Sequence, residues 1–188
     1  MNLAIIGGEL MGEIKNFSLE KLVIAVLISR KDMLNKLIDT LTHNFGPIDY
    51  QSILIDFSYT DYYNLEMGDE IKRIFFSFQN LIDPFTLPDI KILTNNLEND
   101  FLVDNQRKIN LDPGMLSLKR FILATSKDNG HRIPLQKGIY GEVTLLFISK
   151  NFKALPWTYI DYRSEEYSKI LKEIRIIYKN NLRELKQN

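Results

Sequence analysis

Cysteine is absent from this chain of 188 residues, and His43 and His131 are its only histidines. The lack of cysteine excludes disulfides, thiolate zinc sites and a cysteine nucleophile, and it agrees with a reducing cytoplasm. Two histidines cannot build a multi-histidine metal centre. Lys plus Arg and Asp plus Glu both number 24, so no overall charge attracts nucleic acid. We therefore expect a cytoplasmic protein with no DNA partner.

Long apolar runs are also missing. No run reaches the roughly 20 residues that cross a membrane, and the first ten residues lack the basic start and cleavage site of a signal peptide. We predict no membrane association. We interpret residues 1–10 as a non-native or disordered extension, with translation starting at Met11, and residues 11–188 as a single domain.

The first half opens with a strand followed by a helix. Residues 21–28, KLVIAVLI, form an apolar run typical of a buried central strand. Ser29 and Asp32 resemble a capping box for the next helix, whose apolar positions recur at helical spacing up to Phe45. Further strands are predicted over 53–57 and 71–78, and a helical region from Asp83.

The second half predicts a strand at 109–112, a short helix at 116–124, a β-meander over 132–155 and a C-terminal helix with an apolar stripe. The order of elements in the first half resembles a ferredoxin-like, split βαβ unit. We predict an α+β fold in which helices pack on a mixed β-sheet. An open, doubly wound sheet is the alternative.

Polar residues surround the predicted short helix. Asn110 and Asp112 share one face of the preceding strand. Pro113-Gly114 would turn the chain and expose the backbone N–H groups of a helix start, which bind anions. The charged residues that follow are Lys119, Lys127, His131 and Arg132. The alternative is that Asp112 only caps this helix.

Two other faces carry polar residues. On the long middle strand of the meander, Glu142 lies between Tyr140 and Thr144 on one face, which points either to solvent, as half-exposed strands commonly do, or to a polar cavity. On the helix after Asp83, Lys91, Asn95 and Glu98 share a face that either holds a phosphate or is solvated.

Aromatic residues are concentrated in residues 58–68, which include Tyr62, and in residues 156–163, which end at Arg163. Tyrosines in loops stack on bases or anchor interfaces, but they also close over the rim of a core. From Arg163 onward, seven Lys or Arg face four Glu, so the last helix is slightly basic.

Ten short motifs in the same order resemble one uncharacterised prokaryotic family, domain of unknown function 4416. They are FGPID, YTDYY, EMG, SF, KxxTNxLE, NLDPG, LATxKD, HRI, GIYxEVTL and PWTYxDYRS, between residues 45 and 164. Family members are often labelled "GTP-binding protein". The chain nevertheless lacks a phosphate loop, and Lys127 and Asp128 are adjacent, which breaks the N/T-K-x-D motif of GTPases. The resemblance implies that eight of the polar residues singled out above lie within the family's motifs, which favours a shared polar site: Lys91, Asn95, Asn110, Asp112, Lys127, His131, Arg132 and Glu142.

Two functional hypotheses follow. The first is a polar pocket for a phosphorylated ligand, a class that includes nucleotides. Asp112 and Glu142 would hold Mg²⁺ or act as acid and base, and His131 would transfer a proton. The ligand-binding residues would be Tyr62, Lys91, Asn95, Asn110, Gly114, Lys119, Lys127, Arg132 and Arg163. The second is a non-catalytic module that grips a protein or RNA through the aromatic loops and the basic helix. The oligomeric state is not predicted.

Overall fold

The computed structural model describes residues 5–6, 9–10, 14–185 and 187, so the predicted start at Met11 and most of the predicted extension lie outside the described residues. The strands are β1 (Ile5–Ile6), β2 (Glu9–Leu10), β3 (Glu20–Ile28), β4 (Ile48–Gln51), β5 (Ile55–Asp56), β6 (Lys72–Ile82), β7 (Leu102–Val103), β8 (Gln106–Arg107), β9 (Ile109–Leu116), β10 (Arg120–Thr125), β11 (Ile133–Gln136), β12 (Ile139–Ile148) and β13 (Asn151–Ala154). The helices are α1 (Leu34–Phe45), α2 (Asn64–Met67), α3 (Leu87–Leu97) and α4 (Glu165–Glu184), with 3₁₀ turns at Lys31–Met33, Pro84–Thr86, Glu98–Phe101 and Asp161–Arg163. In the described part of the chain, none of the helices is long and apolar enough to cross a membrane.

One nine-stranded sheet organises the fold. Its order is β11-β12-β10-β9-β3-β6-β4, with β13 paired to β12 and β5 paired to β6. Each of these pairings is antiparallel, which excludes the doubly wound alternative because that fold needs parallel neighbours. The part β9-β3-β6-β4, with α1 between β3 and β4 and α3 between β6 and β9, has split βαβ connectivity. The predicted α+β fold is confirmed.

Both faces of the sheet are covered. Every residue of β3 is buried, and its side chains alternate between two cores. Ile24 belongs to the core under α1 and α3. Val23 belongs to the core under α4, which includes Tyr167 and Leu171 of the predicted apolar stripe. The run of apolar residues in β3 therefore reflects burial from two sides, as predicted.

The predicted helix at 116–124 is wrong. β9 continues to Leu116 and β10 begins at Arg120, so residues 117–119 form a hairpin turn. The Ser117 hydroxyl accepts hydrogen bonds from the N–H groups of Lys119 and Arg120 at 3.1 Å, and these bonds satisfy the turn. No helix therefore starts after Gly114, and Asp112 caps none.

Two smaller predictions also need correction. Ser29 donates its hydroxyl to the Lys108 carbonyl instead of capping a helix, and Asp32 pairs with Arg30. The strand predicted over 53–57 is shorter in the structure: β4, which was not predicted, ends at Gln51, and β5 covers only Ile55–Asp56.

The sheet splits between β9 and β10. These strands pair only from Gly114 to Leu116, so the rest of β9 has no strand on that side. Two side chains replace the missing strand at Leu111: Glu98 accepts its N–H at 2.7 Å, and the Lys91 ammonium donates to its carbonyl at 3.0 Å. Backbone groups alternate in direction along a strand, so the nitrogen of Pro113 faces the same open side, where a missing N–H does no harm.

Gly114 lies where the two strands converge. A Cβ atom there would meet the Ile122 carbonyl oxygen at 2.5 Å and the Phe121 ring at 2.8 Å. Its role is close strand packing, and not the helix start or phosphate contact predicted from the sequence.

We expect Gly114→Ala to lower the free energy of unfolding by about 1–3 kcal/mol, because the added methyl group overpacks the junction. Urea denaturation measures this. Gly130→Ala is the matched control, since its methyl group would meet no atom within 4 Å among the described residues. Equal stability of both variants would contradict this account of Gly114.

Candidate functional site

A cavity of about 630 Å³ lies at the split between β9 and β10. The residues that line it come from α3, β6, β9, β10 and β12 and from the aromatic loops. Eight of the residues predicted for the site line this cavity: Tyr62, Lys91, Asn95, Asn110, Asp112, Lys127, Arg132 and Glu142. The fold thus brings together side chains from five separate segments of the sequence.

The other four predicted residues lie elsewhere. Gly114 packs at the strand junction. Lys119 is in the hairpin turn and lines a different groove. Arg163 donates to the carbonyls of Thr158 and Pro156, so it closes its own loop. His131 is outside the lining but contacts Glu142.

Arg73 lies at the base of the cavity and was missed in the sequence. Its guanidinium group is 3.1 Å from the Asp161 carboxylate and 3.4 Å from the Asp112 carboxylate. Burial acts to lower the pKa of Arg73, but the neighbouring Tyr162 and Tyr167 and the two carboxylates raise it overall. The sequence signal that could have found Arg73 is its place inside an apolar strand, because a buried charge requires partners of opposite sign.

Asp161 was missed as well. Burial raises the pKa of its carboxyl group, although Arg73 opposes that change. Its second oxygen accepts the N–H of Tyr162 at 2.9 Å, which fixes the 3₁₀ turn against the cavity. The Asp161 carboxylate therefore fixes the position of the Arg73 guanidinium group.

Glu142 is buried, with 1% of its surface exposed, so the solvent-facing alternative is wrong. One carboxylate oxygen, Oε2, lies 2.9 Å from both Arg132 Nε and His131 Nε2. The His131 ring stacks on Trp157 with ring centres 5.2 Å apart. His131 therefore positions Glu142, and Oε1 of Glu142 has no hydrogen-bond partner in the described part of the chain.

A second charge cluster surrounds Arg107. Its guanidinium group donates to Glu98 and Glu66, both at 2.8 Å, and to Asn110 Oδ1 at 2.9 Å. Burial raises the pKa of Glu98, against the opposing effects of the Leu111 N–H and Arg107. Since Oδ1 of Asn110 is engaged, its Nδ2 is the free end of the amide, and no partner for it exists among the residues described.

The helix face that carries Lys91 and Glu98 is not solvated, because 7% of Lys91 and 6% of Glu98 are exposed. Asn95, on the same face, is exposed at the edge of the cavity. The alternative of a solvated face is therefore wrong for the two charged residues.

The mouth of the cavity is formed by Lys127 and Tyr62. The Lys127 ammonium lies 3.3 Å from the Tyr62 hydroxyl and 5.0 Å from the centre of its ring. Tyr63 packs edge-on against Tyr62. Burial, and then the Asp112 charge, raises the pKa of Tyr63. Within the described residues Lys127 has no carboxylate at ion-pair distance, so its charge is available to a ligand.

The side chains present do not fit a dedicated divalent metal site. Asp112 and Glu142, the predicted Mg²⁺ ligands, each lie against a guanidinium group, from Arg73 and Arg132 respectively. A guanidinium group therefore already neutralises each of these carboxylates. Across the residues the structure describes, no group of three His, Asp or Glu side chains gathers as metal ligands.

Comparison with known proteins gives one match. A family model matches residues 18–178, which is most of the chain and contains every residue that lines the cavity. Searches of curated proteins and of solved structures found no match. The chain therefore belongs to the family described as Domain of unknown function (DUF4416).

Proposed function

We propose that the cavity binds a small phosphorylated molecule, with nucleotides within this class. The observation that supports it is the set of charges around one cavity. Five cationic side chains and four carboxylates line it, and among the described residues Lys127 alone of these cations has no carboxylate at ion-pair distance. The cations are Arg73, Lys91, Arg107, Lys127 and Arg132, and the carboxylates are Glu98, Asp112, Glu142 and Asp161.

The charge balance favours a ligand with a single phosphate group. A phosphate monoester carries about −1.5 to −2 charges at neutral pH. The charge of Lys127, which is exposed and has no carboxylate partner among the described residues, suits one such group. A triphosphate would bring more negative charge than the cavity compensates. The cavity volume of about 630 Å³ is in the usual range for small-molecule sites.

Different residues serve the two ends of the ligand. Lys127 offers the uncompensated charge at the mouth and Tyr62 an exposed ring beside it. Asp112 is the most exposed of the cavity carboxylates, with 27% of its side chain accessible. It would therefore contact a hydroxyl or amino group of the ligand, and it would be the acid or base in a reaction of that ligand. Glu142, held by His131 and Arg132, would shape the inner wall.

The aromatic loops support ligand binding over an interaction module. Tyr59, Tyr62, Tyr63 and Tyr159 all line the cavity instead of forming a separate flat patch. A concave site with convergent polar groups is typical of small-molecule binding. The absence of cysteine supports a cytoplasmic location for this activity.

A thermal-shift screen of inorganic phosphate, sugar phosphates and nucleoside monophosphates tests the proposal. A ligand at a hundredfold excess over Kd should stabilise the fold by about 2.7 kcal/mol. Lys127→Gln should raise Kd at least roughly tenfold, because a charge-assisted hydrogen bond contributes about 1.5–3 kcal/mol.

Lys153→Gln is the matched control, since Lys153 is exposed in β13 and lies outside the cavity lining. Its response should equal that of the unmodified chain. If Lys127→Gln and Asp112→Asn both retain full ligand stabilisation, the cavity is not the binding site.

We expect the affinity for a monophosphate ligand to differ less than threefold between a buffer with about 5 mM Mg²⁺, which would saturate a weak metal site, and a buffer with EDTA. The reason is that guanidinium groups already neutralise Asp112 and Glu142. Isothermal titration calorimetry measures both affinities. Binding seen only with Mg²⁺ would show that these carboxylates exchange their arginine partners for a metal.

A further inference from the structure

A second, larger cavity of about 1080 Å³ lies at the other end of the β9–β10 hairpin. It is a groove bounded by residues 16–20, the start of α3, the hairpin turn, β11 and the C-terminal end of α4. None of the residues that line the first cavity lines this groove. The groove is therefore a separate surface, and inferences about it do not depend on the proposed ligand.

The floor and sides of the groove are mainly apolar, with aliphatic, aromatic and proline side chains. Exposed apolar side chains cluster here: Phe17 is 72% exposed, Phe85 65% and Leu135 41%. Single exposed apolar residues are ordinary on a protein surface, but a contiguous patch around a groove marks an interaction site. Met115 and Leu182 extend the apolar surface between them.

The rim of the groove is basic. Lys119, Lys179 and Arg183 line it, while the charge of Arg120 is compensated by Glu20 at 2.8 Å. Glu20 is the only acidic residue among those that line the groove. In a chain with no net charge, this local excess of three positive charges selects for an acidic partner.

We propose that this groove binds an acidic, amphipathic helical segment of a partner protein. Leucine-like side chains of the segment would fill the apolar floor, and its Asp and Glu residues would face Lys119, Lys179 and Arg183. Addition of a β-strand is disfavoured because Pro134, in the edge strand β11, has no N–H to donate. RNA, whose bases could stack on the exposed rings of Phe17 and Phe85, is the competing occupant that the experiment below distinguishes.

Selection of a displayed library of random 16-residue peptides on the full chain tests this proposal. The enriched peptides should combine Asp or Glu with apolar residues at helical spacing. Fluorescence anisotropy of these peptides should show at least a tenfold loss of affinity with the double variant Lys179→Glu/Arg183→Glu. Phe85→Ser should also weaken binding at least threefold.

Lys169→Glu is the matched control, because Lys169 is exposed on the same helix and lies outside the groove. Its affinity should remain within twofold of the unmodified chain, and circular dichroism should show that all variants fold. Four results would overturn the proposal: no enriched peptide, equal loss in the Lys169 variant, a mixed-sequence RNA that competes with the peptides and ignores Phe85→Ser, or dimerisation that the double variant abolishes. Dimerisation abolished by the same double variant would assign the groove to a second copy of the chain instead.

Discussion

The peptide group of Leu111 sets the main constraint on the site. A buried strand must find partners for its backbone N–H and C=O groups. β10 diverges from β9 at this point, so the charged ends of Glu98 and Lys91 take the place of a strand. Each of these charges then requires a partner of opposite sign. Arg107 pairs with Glu98, and the Asp112 carboxylate lies 3.9 Å from the Lys91 ammonium. The polar lining of the cavity is thus a consequence of one gap in the sheet.

The charges become less fully compensated from the floor of the cavity to its mouth. Arg73 is enclosed by two carboxylates, whereas the Lys127 ammonium has, among the described residues, only the Tyr62 hydroxyl and ring close to it. Buried ion pairs rarely add much stability over well-packed apolar residues, because removing both charges from water offsets their attraction. Stability alone therefore does not explain why so many of them lie in one cavity, which agrees with the proposed ligand.

The parts of the fold that could be predicted are those with a single clear periodicity. β3 and α4 bury one continuous run and one helical stripe, and both were predicted. Residues 116–124 were assigned to a helix because their apolar spacing fits either period and the turn at Ser117 contains no Gly or Pro. Glu142 resembled a solvent-facing residue because only the distant loop carrying Trp157 and Tyr159 covers it, through His131 and Arg132. Sequence spacing shows which face a residue occupies, but not what packs on that face.

The two sites differ in their relation to the family. All residues that line the cavity lie between 57 and 162, inside the matched region of 18–178. The groove extends past both limits of that region, since Phe17 lies before it and Lys179 and Arg183 lie after it. The cavity depends on the split between β9 and β10, and both strands lie within the matched region. The last turns of α4 supply Lys179 and Arg183 of the basic wall, so this part of the groove lies outside the match, whereas most of its apolar floor lies inside.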